Sequence, residues 1–407
     1  MKELSFIDVF AGASGMSEGF IQAGFKPIAH IEMNLEACNT IVTRTAYHHL
    51  KESGQLKHYE NYLNKKITRQ ELLANVPTEL IESVMNYEIS DENIDEIFKK
   101  LKPKVYGPID LIIGGPPCQA YSLLGRHRVD VKNDPRNYLF IQYGKFLKKY
   151  KPKAFVFENV PGLLTANDGK YFEDLKYHFK SLGYKINYRI LDASDYGVLQ
   201  YRKRVIIIGW QNKLDSGFPE LDIKKSELTI DDLFIDLPKI KPGECLEIAN
   251  YSKKIDLNYG DINIQSEFKF ATQHVARPHN QRDLSIYKLV IEKWDKDRSR
   301  MKYTDIPISL RTHNNLNSFL DRFKVVDGKS YSHTVVAHIA KDGHHYIHPD
   351  IEQCRSISVR EAARIQSFPD DYFFEGSRTA AYTQIGNAVP PLLAYAIAKQ
   401  LYKTFQS

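Results

Sequence analysis

Residues 110 to 122 read Asp-Leu-Ile-Ile-Gly-Gly-Pro-Pro-Cys-Gln-Ala-Tyr-Ser. The apolar run Leu111, Ile112 and Ile113 has the β-rich, twice-buried character of a central parallel strand, and Gly114 and Gly115 end it. Pro116 and Pro117 fix φ and delay any helix, so Cys118 is expected at the carboxyl end of the strand, where open α/β sheets place their ligand crevice. A thiolate there can add to an electrophilic carbon, provided neighbouring donors and positive charge depress its pKa. A lone cysteine beside a tight turn is more often an inert packing residue. The double proline and the following Gln119 to Ser122 favour the nucleophile.

On the amino-terminal side, Ser5 to Phe10 reads as a buried strand running into Phe-Ala-Gly-Ala-Ser-Gly-Met-Ser-Glu-Gly-Phe, residues 10 to 20. Gly12 and Gly15 permit positive φ and close backbone approach, Ser14 is a candidate cap, and 16 to 24 has helical spacing. The next strand, Ile28 to Ile31, ends in Glu32, a carboxylate placed to accept both hydroxyls of a ribose. Taken singly, a glycine turn and a strand-end acid are as often plain structure as ligand sites. Residues 51 to 100 carry seven Lys and Arg against ten Asp and Glu, with a capping-box pattern from Thr68 to Glu71. They read as an inserted helical element whose acidity argues against nucleic-acid contact.

On the carboxyl-terminal side, Arg126, His127, Arg128 and Lys132 lie in a loop too polar for the core, a candidate basic lid. Tyr138 to Tyr150 reads as a helix and Ala154 to Phe157 as a strand ending in Glu158-Asn159-Val160. A carboxylate does not activate a thiol by charge; Glu158 is better suited to donate a proton or hydrogen bond to a substrate heteroatom. After a helix over 170 to 182, Gln200-Tyr201-Arg202-Lys203-Arg204 leads into the strand Val205 to Gly209. Strand alternation places Gln200, Arg202 and Arg204 on one face, with a guanidinium available to an oxygen in the crevice.

Past Trp210 the strand–helix alternation is lost, and 218 to 330 reads as irregular. Over 251 to 330, nine Lys and six Arg face eight Asp and two Glu among interleaved aromatics. This is the pattern of a polar, basic face for a polyanion. His338, His344, His345 and His348 read as part of a hairpin with no partner at ligand spacing, so no metal site is expected. Ser358 to Phe368 reads as a capped helix, and residues 384 to 391 as an Asn-rich turn opening a last helix, 392 to 405. That helix is expected to pack beside the first glycine turn.

The chain of 407 residues carries 43% hydrophobic and 26% charged residues, a net charge of +6 and a pI near 8.8. Such values fit a globular protein of two or three domains that tolerates a polyanionic partner. Cys38, Cys118, Cys245 and Cys354 form no Cys-x-x-Cys pair, which excludes a thiolate metal site of that spacing and fits a reducing compartment. No apolar run approaches a membrane span and no signal peptide is read, so a cytoplasmic location is expected.

Taken together, the chain resembles the DNA (cytosine-5)-methyltransferases of bacterial restriction-modification systems. The resemblance is carried, in family order, by FAGASGMSEGF, GGPPCQAYS, ENV, QYRKR, REAARIQSFPD and QIGNAVPP. It implies an α/β fold, a doubly wound and mostly parallel sheet of the S-adenosylmethionine-dependent methyltransferase type, with a smaller irregular or β-rich target-recognition domain. The expected division is a catalytic and cofactor-binding domain over 1–215 with the insertion at 51–100, target recognition over 216–345, and a return to the catalytic domain over 346–407.

By the same resemblance Cys118 adds to carbon 6 of a flipped cytosine, Glu158 holds and protonates ring nitrogen 3, Arg204 binds the carbonyl oxygen and Arg202 supports the site. Phe10, Gly12, Gly15, Glu32, Pro117 and Asn387 are implied to hold S-adenosylmethionine. Gln119, Ser122, Arg126 and Arg128 are implied to contact double-stranded DNA. Where Ser14 stands the family commonly has glycine, and the family's acid that meets the cofactor adenine lies between the second strand and the nucleophile strand, where the insertion obscures it; Asp95 is one candidate in or near the insertion. The implied partners are duplex DNA and a cognate endonuclease, with the enzyme a monomer on DNA and no membrane involved. The rival readings are a tRNA cytosine methyltransferase, whose Cys-Phe-Thr signature is missing here, and a DNA-binding homologue inactive without a partner subunit.

Overall fold

In the computed structural model, which describes residues 3–117, 138–214, 216–253, 258–259, 262–318 and 320–406, the chain enters a strand at once. β1 (Ser5–Val9), with Phe6, Ile7 and Val9 fully buried, passes through the glycine turn into α1 (Gly15–Gln22) and returns as β2 (Lys26–Glu32). α2 (Leu35–Glu52) starts on Asn34, whose side chain accepts from the Ala37 N–H. The insertion folds as α3 (Lys57–Leu63), α4 (Arg69–Leu73), α5 (Thr78–Ile81), β3 (Val84–Asn86) and α6 (Ile94–Leu101). Thr68 and Glu71 close the expected capping box. The insertion is not wholly helical: β3, at three residues too short to show a period, pairs with the free edge of β2.

β4 (Leu111–Gly114), α7 (Leu139–Tyr150), β5 (Ala154–Asn159), α8 (Lys170–Ser181), β6 (Tyr184–Asp192) and β7 (Lys203–Gln211) complete one sheet of seven strands. Its order is β3-β2-β1-β4-β5-β7-β6, parallel except that β7 runs antiparallel to both β5 and β6. The chain winds outward from β1 in one direction and from β4 in the other, so the topological switch point lies between them. Because β7 is reversed, its first residues lie at the same edge as the carboxyl ends of β1, β4 and β5.

Beyond the sheet come α9 (Ile230–Phe234), β8 (Cys245–Asn250), β9 (Asn258–Tyr259), β10 (Ile262–Asn263), β11 (Phe270–Val275) and α10 (Gln281–Asp297). β8 and β11 form an antiparallel ribbon. α10 corrects the expectation of irregular chain: Asn280 caps it, and Ile286, Tyr287, Val290 and Ile291 bury one helical face in a small core with Tyr303, Phe323 and Val325. High charge density masked that stripe.

α11 (Val359–Ile365) has the expected Ser358–Glu361 capping box and is followed by α12 (Arg378–Asn387) and α13 (Pro391–Gln406). The Asn-rich turn expected over 384–391 is thus the last turn of α12 and a short break before α13. The histidine segment is likewise a helical turn, Ala337–Ala340, and loops rather than a hairpin of regular strands. α13 does lie against α1. A Cβ at Gly15 would meet the Val389 carbonyl oxygen at 2.2 Å and one at Gly19 the Tyr395 nitrogen at 2.4 Å, so both glycines are required by the approach of the two chain ends.

α11 is tied to the segments packed around it through buried arginines. Arg364 is paired with Asp236 and Asp370, and Arg360 donates to the carbonyls of Thr272, Pro369 and Tyr372. Arg355 is bidentate on Glu361; burial alone would raise that carboxyl, but Arg355 and His348 outweigh it and hold it well below the usual range.

Burial, the leading cause in each case, pushes the pKa of His30, His274, His279 and His333 down from 6.5 to about 4. The folded state keeps these rings neutral, while the unfolded chain takes up protons as the pH passes below 6.5. Their contribution is therefore fully present above about 6.5 and is lost as pH falls toward 4. Thermal melting followed from pH 7.5 to 4.5 is expected to show the midpoint falling progressively from about pH 6.5. A flat midpoint down to pH 5 would contradict these assignments.

Candidate active site

The nucleophile motif and the glutamate motif meet at the sheet edge. Gly114 lies so close to β1 that a Cβ would fall 2.2 Å from the Val9 carbonyl oxygen. At Gly115 a Cβ would fall 2.7 Å from a Glu158 carboxylate oxygen, so only glycine lets the side chain of β5 lie across the turn. The Asn159 amide ties the tip of β5 to the Pro116 carbonyl at 3.3 Å. Antiparallel pairing sets Asn159 opposite Val205, and the preceding Arg204 places its Nε 2.8 Å from Glu158 Oε1. Both side chains are mostly shielded from solvent yet retain an open side. Burial lowers the Arg204 pKa from its usual value, and Glu158 opposes that shift.

Gln200, Arg202 and Arg204 do not share one face, contrary to the alternation read from the sequence. The strand begins only at Lys203, and residue 200 makes an isolated bridge to Ser332. Gln200 is buried against Gln366 and the Val335 N–H. Arg202 donates to the carbonyls of Val335, Gly386 and Ala388 at 2.7, 3.2 and 2.8 Å. It acts as a clamp, holding the end of α12 beside the catalytic edge, while Arg204 alone of the three meets Glu158. Asn387 is the exposed last residue of α12, two positions before the Val389 carbonyl that lies on Gly15.

The glycine turn is built by backbone. Ser14 donates its N–H to Ala11, Ala11 to Ile31, and the Tyr372 hydroxyl donates to the Ala13 carbonyl. Phe10, Gly12 and Ser14 have φ of 59°, 55° and 60°, which accounts for a glycine preference at position 14. At Gly12 a Cβ would meet nothing within 4 Å, so the turn borders open space. Glu32 reaches back across it, accepting from the N–H of Gly12 and of Asn34, both at 2.8 Å.

Several contributors escaped the sequence reading. Asn86, at the tip of β3, donates to the carbonyls of Glu32 and Met33, and the Cys38 thiol donates to the Glu32 carbonyl. Met33 stands 61% exposed beside the carboxylate, an apolar surface at a polar edge. Glu88 is exposed two residues beyond β3, whereas Asp95 lies in the first turn of α6. Below the turn the Ser17 hydroxyl donates to Asp8, whose carboxyl burial pushes up to about 8. Asn86 and Glu88 could not be found without knowing that β3 and β2 are neighbours.

Pro117, exposed, is the last described residue of the nucleophile motif. Cys118, Gln119, Ser122, Arg126 and Arg128 lie outside the described residues. Of the four histidines weighed for metal, His344 bonds the Tyr287 hydroxyl, His348 stacks on Phe234, and the His338 and His345 rings are tilted at 57° with centroids 5.6 Å apart. Among the described residues no group of three or more His, Cys, Asp or Glu forms a metal cluster.

Residues 81–403 match the family model for C-5 cytosine-specific DNA methylases. The type II methyltransferase M.Bpa9945I of Bacillus paralicheniformis is 44% identical over 97% of each chain. The type II methyltransferase M1.HphI of Haemophilus parahaemolyticus is 32% identical over 98% of this chain and 87% of its own. In fold, the chain is similar over its whole length to a DNA modification methyltransferase encoded within an E. coli prophage, with a TM-score of 0.65 at 23% identity. A sheet wound from a β1/β4 switch point, with the motif residues gathered on its carboxyl edge, is thus joined to a match across most of the sequence: the chain belongs to the C-5 cytosine-specific DNA methylases.

Proposed function

We propose that this DNA (cytosine-5)-methyltransferase flips a cytosine from a specific duplex sequence and methylates carbon 5 through a covalent adduct on Cys118. The observation that carries the reading is the Glu158–Arg204 pair lying across Gly115, three residues before Cys118. A stacked base cannot be attacked above its plane, so the target must leave the duplex. The Cys118 thiolate forms a bond to carbon 6. As the 5,6 double bond opens, Glu158 gives its proton to ring nitrogen 3 and becomes a carboxylate, held beside the Arg204 guanidinium. Arg204 donates to the ring carbonyl oxygen, where negative charge builds. Carbon 5 is then enamine-like and would take the methyl group, the sulfur–carbon bond that carried it breaking as S-adenosylhomocysteine leaves. Loss of the carbon 5 proton to a solvent base expels Cys118 as thiolate, and Glu158 recovers its proton.

Members of this family are S-adenosylmethionine-dependent, and when bound that group supplies an electrophilic methyl. The open space at Gly12 and the anchored Glu32 fit its ribose. Phe10, Pro117 and Asn387 line the same edge, and Gly15 acts indirectly by seating residues 388–389. Met33 offers a face for the adenine ring and Glu88 an acceptor for its amino group. Glu32→Ala is expected to weaken binding of S-adenosylhomocysteine roughly tenfold or more, since a charged hydrogen-bond acceptor and two backbone anchors are lost together. Isothermal titration reads this directly, and unchanged affinity would contradict the placement.

The 216–345 region would read the DNA, while 1–215 and 346–407 together form the catalytic part. The relatives' description as type II methyltransferases supports a restriction-modification setting, with a cognate endonuclease as partner. No helix among the described residues is long and apolar enough to cross a membrane. A monomer acting on cytoplasmic DNA is the simplest assembly. Incubation with unmethylated DNA and tRNA, followed by nucleoside mass spectrometry, should give 5-methyldeoxycytidine from DNA alone. Methylation confined to tRNA would reverse the substrate reading.

A further inference from the structure

Thr312 to Asn317 are six consecutive exposed residues, and all but Leu316 carry a hydroxyl, imidazole or amide group. Their backbone is unusually well held. The phenol oxygen of Tyr303, itself 1% exposed, accepts the N–H of Thr312 at 2.7 Å and of His313 at 2.8 Å. Arg322 lies over the Tyr303 ring at 4.3 Å and donates to the Asn315 carbonyl at 3.5 Å. The Asn315 side-chain oxygen accepts from the N–H of Asn317 and Ser318, and its amide donates to the Ser318 hydroxyl. Arg311 closes the base by donating to the carbonyls of Thr304 and Ile306.

All these bonds engage the backbone or the side chains of Asn315 and Ser318. Among the described residues no hydrogen bond occupies the side chains of His313, Asn314 or Asn317. A solvated surface loop has no need of a buried phenol to lock its amides. A surface that must present donors and acceptors in fixed positions does, because ordering on contact would cost affinity.

The loop is also connected through the chain to the catalytic edge. The chain beyond the loop runs through Lys324 and Val326, hydrogen-bonded to the 344–347 segment, to Ser332, which bonds Leu199 and Tyr201 at the approach to Arg202 and Arg204. Arg300, exposed and without an ion pair among the described residues, stands between α10 and Tyr303, which share one small core.

We propose that the 312–317 loop is a sequence-reading element, with His313, Asn314 and Asn317 offered to base edges in a groove of the DNA and Arg300 to a neighbouring phosphate. The inference rests on the DNA methyltransferase reading and deepens it. A carboxamide can accept from the adenine N6 amino group while donating to N7, and an imidazole N–H can donate to guanine N7 or O6. A phosphate contact adds affinity without sequence information.

The test uses the full-length enzyme and a DNA pool with randomised positions, read by bisulfite sequencing. Wild type, His313→Ala, Asn314→Ala, Asn317→Ala and Arg300→Ala are compared, with melting temperatures confirming that the exposed substitutions leave the fold intact. At least one of the three loop variants is expected to methylate the wild-type site roughly 10- to 100-fold more slowly and to lose preference at one base position. Arg300→Ala should slow all sequences alike and reduce the salt dependence. Wild-type rate and unchanged preference in all three loop variants would overturn the proposal while leaving the methyltransferase reading standing. A wild type that methylates no DNA would overturn both.

Discussion

Serine in place of Cys118 is expected to leave DNA and S-adenosylhomocysteine binding near wild-type levels while methyl transfer falls roughly 10⁴-fold or more. A thiol titrates within reach of neutral pH, and the thiolate is polarizable enough to add to an electron-poor ring carbon. A serine hydroxyl has neither property, and Glu158, with its carboxyl paired to Arg204, is not placed as a general base for it. The substitution removes one atom's chemistry with little change in shape. Single-turnover assays with labelled S-adenosylmethionine, alongside gel-shift binding, separate the two effects. Transfer within tenfold of wild type would eliminate the covalent route.

Glu158→Gln tests the other half of the mechanism. The amide keeps the size that Gly115 accommodates and can still donate a hydrogen bond, but it cannot deliver a proton to ring nitrogen 3. Turnover is expected to drop about 10²- to 10⁴-fold, the usual range for loss of a positioned proton donor. Because the loss concerns the transition state, kcat should fall with little change in KM for DNA. A raised KM at unchanged kcat would instead make Glu158 a simple binding residue.

The parts of this account legible in the chain were those with local causes. Leu111-Ile112-Ile113 and Ala154 to Phe157 read as strands because buried parallel strands are apolar on both faces, and both lie in the middle of the sheet. The capping boxes at Thr68 and Ser358 are four-residue patterns and were readable as such. What failed depended on neighbours distant in sequence. β3 exists because β2 has an edge to offer, and it is β3 that brings Asn86 and Glu88 to the tip beside Glu32. Arg202 turned from the crevice because the carbonyls of Gly386 and Ala388, at the end of α12 and just past it, lie within its reach, a fact no alternation rule contains. Ser14 stands where the family commonly has glycine, and its φ of 60° shows the conformation behind that preference.

The most direct measurement of the central claim is covalent trapping. DNA synthesised with 5-fluorodeoxycytidine presents a carbon 5 that, once methylated, has no proton to lose, so Cys118 cannot be expelled. Incubated with S-adenosylmethionine, wild type is expected to form a DNA–protein adduct stable to denaturing electrophoresis, and peptide mapping should place the nucleotide on Cys118. A substrate that is methylated when unfluorinated yet yields no adduct, or an adduct on another residue, would contradict the account.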